Sequence, residues 1–62
     1  MESYELTTLK KGLLILDLLR DKHSLTMNQV MDELSINKSS AYRMLYILEK
    51  MDYVVKYDKY FN

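Results

Sequence analysis

The 62-residue chain has no cysteine, which excludes disulfides, thiolate metal ligands and thiol nucleophiles. It has no proline and one glycine, Gly12, so long irregular loops have little to build on and disorder is set aside. No apolar run approaches the ~20 residues of a membrane span, and Leu13 to Leu19 is interrupted by Asp17. The start of the chain does not pair a basic segment with an apolar stretch, so no signal peptide is read and a cytoplasmic protein with no membrane partner is expected. A single histidine, His23, makes no metal site without cysteine or a second imidazole. It is expected near a helix C-terminal dipole or in solvent. Without a His/Asp/Ser or Cys/His constellation, a Gly-rich phosphate loop or paired carboxylates in a cleft, neither catalysis nor a cofactor is expected. Net charge is also lacking: nine Lys and Arg balance nine Asp and Glu. That argues against a strongly cationic nucleic-acid binder, since DNA affinity rests largely on phosphate neutralisation. A neutral chain must sort its charges onto different faces.

What is present is helical periodicity. Met1 to Leu6 shows no clear period, and Thr7 or Thr8 is suited to cap a first helix. Leu9, Leu13, Leu16 and Leu19 then recur at helical spacing, with Leu14, Ile15 and Leu18 as a second stripe beside them. A helix apolar over so much of its circumference needs two surfaces to pack against. Either all these leucines fit one compact core, or the second surface is another copy of the chain. A domain of this size buries only about 60% of its unfolded surface, which favours a homodimer through Leu9, Leu13 and Leu16.

The first helix should end near Asp21 or Lys22, and Ser24-Leu25-Thr26 is a connector able to add one short strand. Thr26 and Gln29 have the spacing of a capping box. Met27, Val30, Met31 and Leu34 follow as an amphipathic stripe of a second short helix. About three residues later Asn37 is suited to cap a third helix. Two short helices so tightly joined form a helix-turn-helix.

The third helix, through Met51, gathers Ala41, Met44, Leu45, Leu48 and Met51 on a core side and Ser39, Tyr42, Arg43, Tyr46 and Lys50 on the other. The second set holds hydroxyls, phenols and cations without a carboxylate, and such a face can donate to base edges and phosphates. Beyond it, Tyr53 to Tyr57 has strand composition, and Asp58-Lys59 reads as a two-residue hairpin turn before Tyr60-Phe61. The expected fold is mainly α with a small β-hairpin, a winged helix-turn-helix filling residues 1–62 as a single domain.

Three segments of this pattern resemble the N-terminal DNA-binding domain of the IclR family of bacterial transcriptional regulators. Thr8-Leu-Lys-Lys-Gly-Leu-Leu-Ile-Leu-Asp-Leu-Leu19 is similar to the family's S-[LV]-x-R-A-L-x-I-L-E-L-L. Leu25-Thr26 with Met27 to Leu34 resembles its second helix. Lys38-Ser-Ser-Ala-Tyr-Arg-Met-Leu45, through Leu48-Glu49 to Tyr53-Val54, resembles K-S-T-[VA]-x-R-L-L…L-E…G-[YL]-V. The resemblance implies a dimer on double-stranded DNA, with helix three in the major groove, helix one pairing the domains and the wing on the backbone. Carried onto this chain, it implies DNA contacts from Lys38, Ser39, Ser40, Tyr42 and Arg43, and phosphate contacts from Thr26 and Asn28. Ser35, Asn37 and Asp52 depart from the family's frequent Gly, Pro and Gly, and Asp52 predicts a less regular helix end. The wing is short and its tip lacks Gly, so minor-groove insertion is not expected. The family's large effector-binding domain has no counterpart in these residues, so ligand response by that route is not expected.

Each residue of this face also has a structural role open to it. Arg43 is the choice for direct readout, since guanidinium can bind guanine O6 and N7 together; its alternatives are an ion pair with Glu49 or Asp52, or simple exposure to solvent. Ser39 and Ser40 can be secondary caps, and Tyr42 and Tyr46 suit protein interfaces as well as sugar or thymine methyl contact. Lys38, Lys56 and Lys59 complete the cationic side, while Glu49, Asp52 and Asp58 make the sorting partial. The leading expectation is a sequence-specific, dimeric DNA-binding regulator. Its rivals are a protein-interaction module on the same fold, such as a partner of a larger regulator, and a bare DNA-binding fragment of a longer one.

Overall fold

The computed structural model describes residues 7–62, and the segment Met1 to Leu6 lies outside them. The order is α1 (Thr7–Lys22), β1 (Leu25–Thr26), α2 (Met27–Leu34), α3 (Lys38–Lys50), β2 (Lys56–Tyr57) and β3 (Tyr60–Phe61). Because α1 already begins at Thr7, both Thr7 and Thr8 lie inside its first turn rather than at the cap position, which falls outside the described residues.

Left-handed residues close all three helices. His23 has φ 73°, and its amide donates to the Leu19 carbonyl at 2.8 Å, the single bond of an αL cap. Ser35 takes φ 55°, and the Ile36 amide reaches back to the Met31 carbonyl at 3.1 Å. Asp52, at φ 68°, completes a full Schellman motif: its amide donates to Glu49 O at 3.1 Å and that of Tyr53 to Leu48 O at 2.8 Å. The irregular end expected of Asp52 is therefore not found.

At the other ends, side chains do the capping. Thr26 Oγ1 accepts from the Gln29 amide at 3.2 Å while Gln29 Oε1 accepts from the Thr26 amide at 2.8 Å, a complete capping box. Asn37 Oδ1 accepts from the Ser40 amide at 2.8 Å at the start of α3.

The strands form one antiparallel sheet in the order β1-β3-β2, so the hairpin is anchored by a third strand lying between α1 and α2. Register pairs Leu25 with Phe61 and Tyr57 with Tyr60, which leaves Asp58-Lys59 as the two-residue turn. Asp58 alone of that pair takes a positive φ. The strand expected over Tyr53 to Tyr57 is shorter in fact. The amides of Tyr53 and Val54 are committed to the Leu48 carbonyl, and the ladder starts only where Val55 and Asn62 exchange two backbone bonds of 2.9 Å.

Ile15 and Leu19 of α1, Leu25, Val30 and Leu34, Ala41 and Leu45, Val54 and Phe61 make one buried core. Every element contributes to it except β2, whose two residues are both exposed. One sequence expectation fails here. Met51, assigned to the core stripe of α3, is 61% exposed. It lies at the margin of its stripe, where a small domain runs out of neighbours to cover it.

Candidate nucleic-acid interface

Helical geometry divides α3 into three sides. Ala41 and Leu45 point into the core. Around one flank, Met44, Ile47, Leu48 and Met51 face α1. Opposite the core, Lys38, Ser39, Tyr42, Arg43 and Tyr46 are all exposed. This last side is the predicted donor face, and the cap made by Asn37 fixes where it begins.

Its chemistry is set by what its members do not touch. Arg43 makes no ion pair with Glu49, Asp52 or any other described residue, and Lys38 is equally unpaired. By contrast Arg20, on α1, is held by Asp17 at 3.5 Å and Asp21 at 3.4 Å. Of the two alternatives weighed for Arg43, the ion pair is not formed and simple exposure is what the structure shows. Tyr42 and Tyr46, one turn apart, lie near-parallel with ring centroids 6.4 Å apart, and Lys50 Nζ sits 5.7 Å from the Tyr46 centroid. The result is an aromatic ridge flanked by cations.

Ser40 stands apart from this face. It is half-buried, and with Thr8, Arg43, Met44 and Ile47 it lines a depression toward α1. One residue of helix is 100° of rotation, so Ser39 and Ser40 point in different directions.

A second group of predicted contacts converges from elsewhere. Thr26 and Asn28 at the start of α2 meet Lys59 and Tyr60 of the wing around a shallow depression of about 310 Å³. The Thr26 hydroxyl accepts from Gln29 and still has its own proton to donate. Lys59 Nζ lies 5.8 Å from the Tyr60 ring centroid. Lys56 is more engaged than expected: its ammonium donates to the Asp58 carbonyl at 2.8 Å and lies 6.0 Å from the Phe61 centroid. Between α3 and the wing, Tyr42, Tyr46, Glu49 and Lys56 share a small cleft, where the Glu49 carboxylate opposes an anionic ligand.

The sequence reading missed one feature. Leu9 and Leu13 of α1 are exposed as expected of a pairing face, while Leu16 packs partly into the core. They do not stand alone. Together with Gly12, Met44, Ile47, Met51 and Tyr53 they line an apolar groove of about 400 Å³ between α1 and α3. The signal was present in Ile47, which falls outside both the core stripe and the donor face of α3.

No helix among the described residues is long and apolar enough to cross a membrane. Residues 8–58 match the family model of the IclR helix-turn-helix domain, a span from the first turn of α1 to the tip of the wing. No significant match emerges among curated proteins or among solved structures. The matched family is a DNA-binding one of transcription regulation, not a catalytic one. With α2, α3, the tight turn at Ser35, all but the first residue of α1 and the first strand of the wing inside the matched span, the chain belongs to the IclR helix-turn-helix domain family.

Proposed function

We propose that the domain reads double-stranded DNA in a sequence-specific manner as a homodimer, with α3 in the major groove, acting in the cytoplasm as a transcriptional regulator. The observation that carries this reading is Arg43, exposed at the centre of a carboxylate-free face and without a partner among the described residues. Lys38 and Ser39 meet the phosphates that flank the bases Arg43 reads, and Tyr42 and Tyr46 supply apolar contact to sugar and thymine methyl groups. Thr26, Asn28 and Lys59 hold the adjacent backbone, with Lys56 a lesser contributor because the wing already engages it. Ser40, turned toward α1, acts as a helix-start residue rather than a base contact. Leu9 and Leu13, with Leu16 beneath them, belong to the pairing surface.

The test is a fluorescence-anisotropy titration of duplex DNA at two salt concentrations. Counterion release lowers the logarithm of the binding constant by ~0.9 per neutralised phosphate for each unit of log salt. With three lysines per copy, a dimer is expected to show a slope on the order of −5. A salt-independent affinity, or an Arg43→Ala variant indistinguishable from wild type, rejects the assignment of α3.

A second reading has its own observation. Zero net charge and the open apolar groove also suit a module that pairs with a larger regulator and does not itself touch DNA. A wild-type chain that ignores duplex DNA yet retains one protein partner establishes that reading instead.

A further inference from the structure

The base-reading chemistry of α3 is narrow. Arg43 suits guanine, through O6 and N7. Adenine is read in the major groove by the paired donor and acceptor of an Asn or Gln amide, and α3 contains neither residue. Asn37, just before it, has its side-chain oxygen committed to the Ser40 amide. Glu49, able to accept from cytosine N4, borders the cleft beside the wing and not the surface around Arg43. The feature of an A·T pair that remains for this face to single out is the C5-methyl of thymine.

The surface next to Arg43 has the shape and chemistry for such a group. Tyr42, Tyr46 and Ile47 line with it a shallow depression of about 430 Å³. All three are at least half exposed, so their apolar surface is not used by the core. The rings are braced: Tyr42 and Tyr46 lie 21° from parallel with centroids 6.4 Å apart, and Lys50 Nζ sits 5.7 Å from the Tyr46 centroid. Arg43 is the one charged residue of the four.

Resting on the duplex reading above, we propose that this depression is a methyl pocket. It takes the C5-methyl of a pyrimidine in the base pair next to the guanine that Arg43 binds. Thymine and 5-methylcytosine both carry that methyl at the same place in the major groove. Specificity is then for guanine beside a C5-methylated pyrimidine, and Tyr42 and Tyr46 set it together with Arg43. The spacing suits adjacent pairs: Arg43 and Tyr46 are separated by about 4.5 Å of helix rise, close to the ~3.4 Å between successive base pairs. The surroundings match an anionic duplex, because Lys38, Arg43 and Lys50 are exposed on this side of α3 and no carboxylate is.

The test begins with selection of sites by the wild-type chain from a randomised duplex pool. Anisotropy titrations then use the selected duplex with one base exchanged at a time. Enriched sites are expected to place thymine beside a guanine. Uracil in place of that thymine removes the methyl and nothing else, and should weaken binding about fourfold per half-site, the effect of burying one carbon. Cytosine and 5-methylcytosine at the same position distinguish the sources. A gain of about fourfold from methylation makes both bases ligands, whereas discrimination of thymine from uracil alone restricts the pocket to A·T pairs.

Variants assign the effect to the rings, with far-UV circular dichroism confirming each fold. Tyr42→Ala combined with Tyr46→Ala should bring the thymine-to-uracil ratio within 1.5-fold of unity, while replacing the guanine still costs about tenfold through Arg43. Tyr42→Phe combined with Tyr46→Phe should keep the fourfold ratio, since the pocket uses the rings and not the hydroxyls. Tyr57→Ala, at an exposed tyrosine of the wing outside the depression, is the control and should also keep it. Thymine and uracil bound alike, sites without thymine beside the guanine, or a ratio that survives both alanines overturns the methyl pocket while leaving the duplex reading intact. A chain that enriches no sequence, or whose selected site Arg43→Ala binds as tightly as wild type, overturns both.

Discussion

Substitution of Asp52 isolates the conformational cost of ending α3 where it ends. The residue has φ 68°, and the two hydrogen bonds that close the helix around it are made by main-chain groups of Asp52, Tyr53, Glu49 and Leu48. Its side chain is exposed and forms no bond among the described residues. Whatever a replacement does must therefore act through the backbone. A left-handed conformation costs an L-residue about 1–2 kcal/mol, less for Asp, whose short polar side chain tolerates it, and most for a β-branched one. Asp52→Val is thus expected to destabilise the domain by about 1–2 kcal/mol, which for a chain of this size lowers Tm by roughly 4–15 °C. Asp52→Gly removes the Cβ contact but gives the unfolded chain about 0.4–1 kcal/mol of extra freedom, so it should fall within about 1 kcal/mol of wild type. Thermal melts followed at 222 nm on dilute protein read both variants. An Asp52→Val melt within about 2 °C of wild type would refute the reasoning, because it would mean that the closure relaxes at no cost.

Other substitutions separate stability from binding. Thr26→Ala removes the hydroxyl that caps α2 and should cost about 1 kcal/mol in a denaturant melt, whereas Thr26→Ser should stay close to wild type. Leu45→Ala empties a site that is 1% exposed at the centre of the core and should cost about 2–5 kcal/mol. In so small a domain that is enough to leave most of the chain unfolded, as a loss of ellipticity at 25 °C shows. In anisotropy titrations Arg43→Ala should lose about 1–3 kcal/mol on a cognate site and little on random duplex. Lys59→Ala should instead weaken both alike and reduce the salt slope by about one per copy.

Local signals in the sequence carried most of the fold, and the misses have physical causes. The capping box at Thr26, the Asn37 cap and the two-residue turn at Asp58-Lys59 each depend on residues within three positions of one another, so they are legible in one dimension. The error at Met51 concerns how far a stripe extends around a helix, which depends on where the neighbouring element stops. The end of α3 is the instructive case. Asp52 occupies a position where glycine is frequent in the family, yet it adopts the same left-handed geometry because the bonds that close the helix belong to the main chain. Of the candidate site, the donor face was readable from composition and a helical wheel. The engagement of Lys56 by the wing, and the freedom of Arg43 from Glu49 and Asp52, required three dimensions.

The neutrality of the chain bears most directly on the spacing of its DNA site. A domain with zero net charge gains little from long-range attraction, and its cations on the donor face are few. One copy should therefore bind weakly, and useful affinity should come from two copies whose second contact is made intramolecular by the dimer. Two recognition helices held by a two-fold interface address half-sites about 34 Å apart, one turn of B-DNA. Inserting about five base pairs between the half-sites keeps every base contact available but turns one half-site to the far side of the duplex. Affinity for such a site should fall to that of a single half-site, and inserting a further five should not restore it, because the half-sites then face the same way but lie another ~34 Å apart, beyond the reach of two helices in a fixed interface. Binding indifferent to this spacing would mean that each domain reads DNA on its own, and that the apolar groove between α1 and α3 serves some purpose other than holding two recognition helices in register.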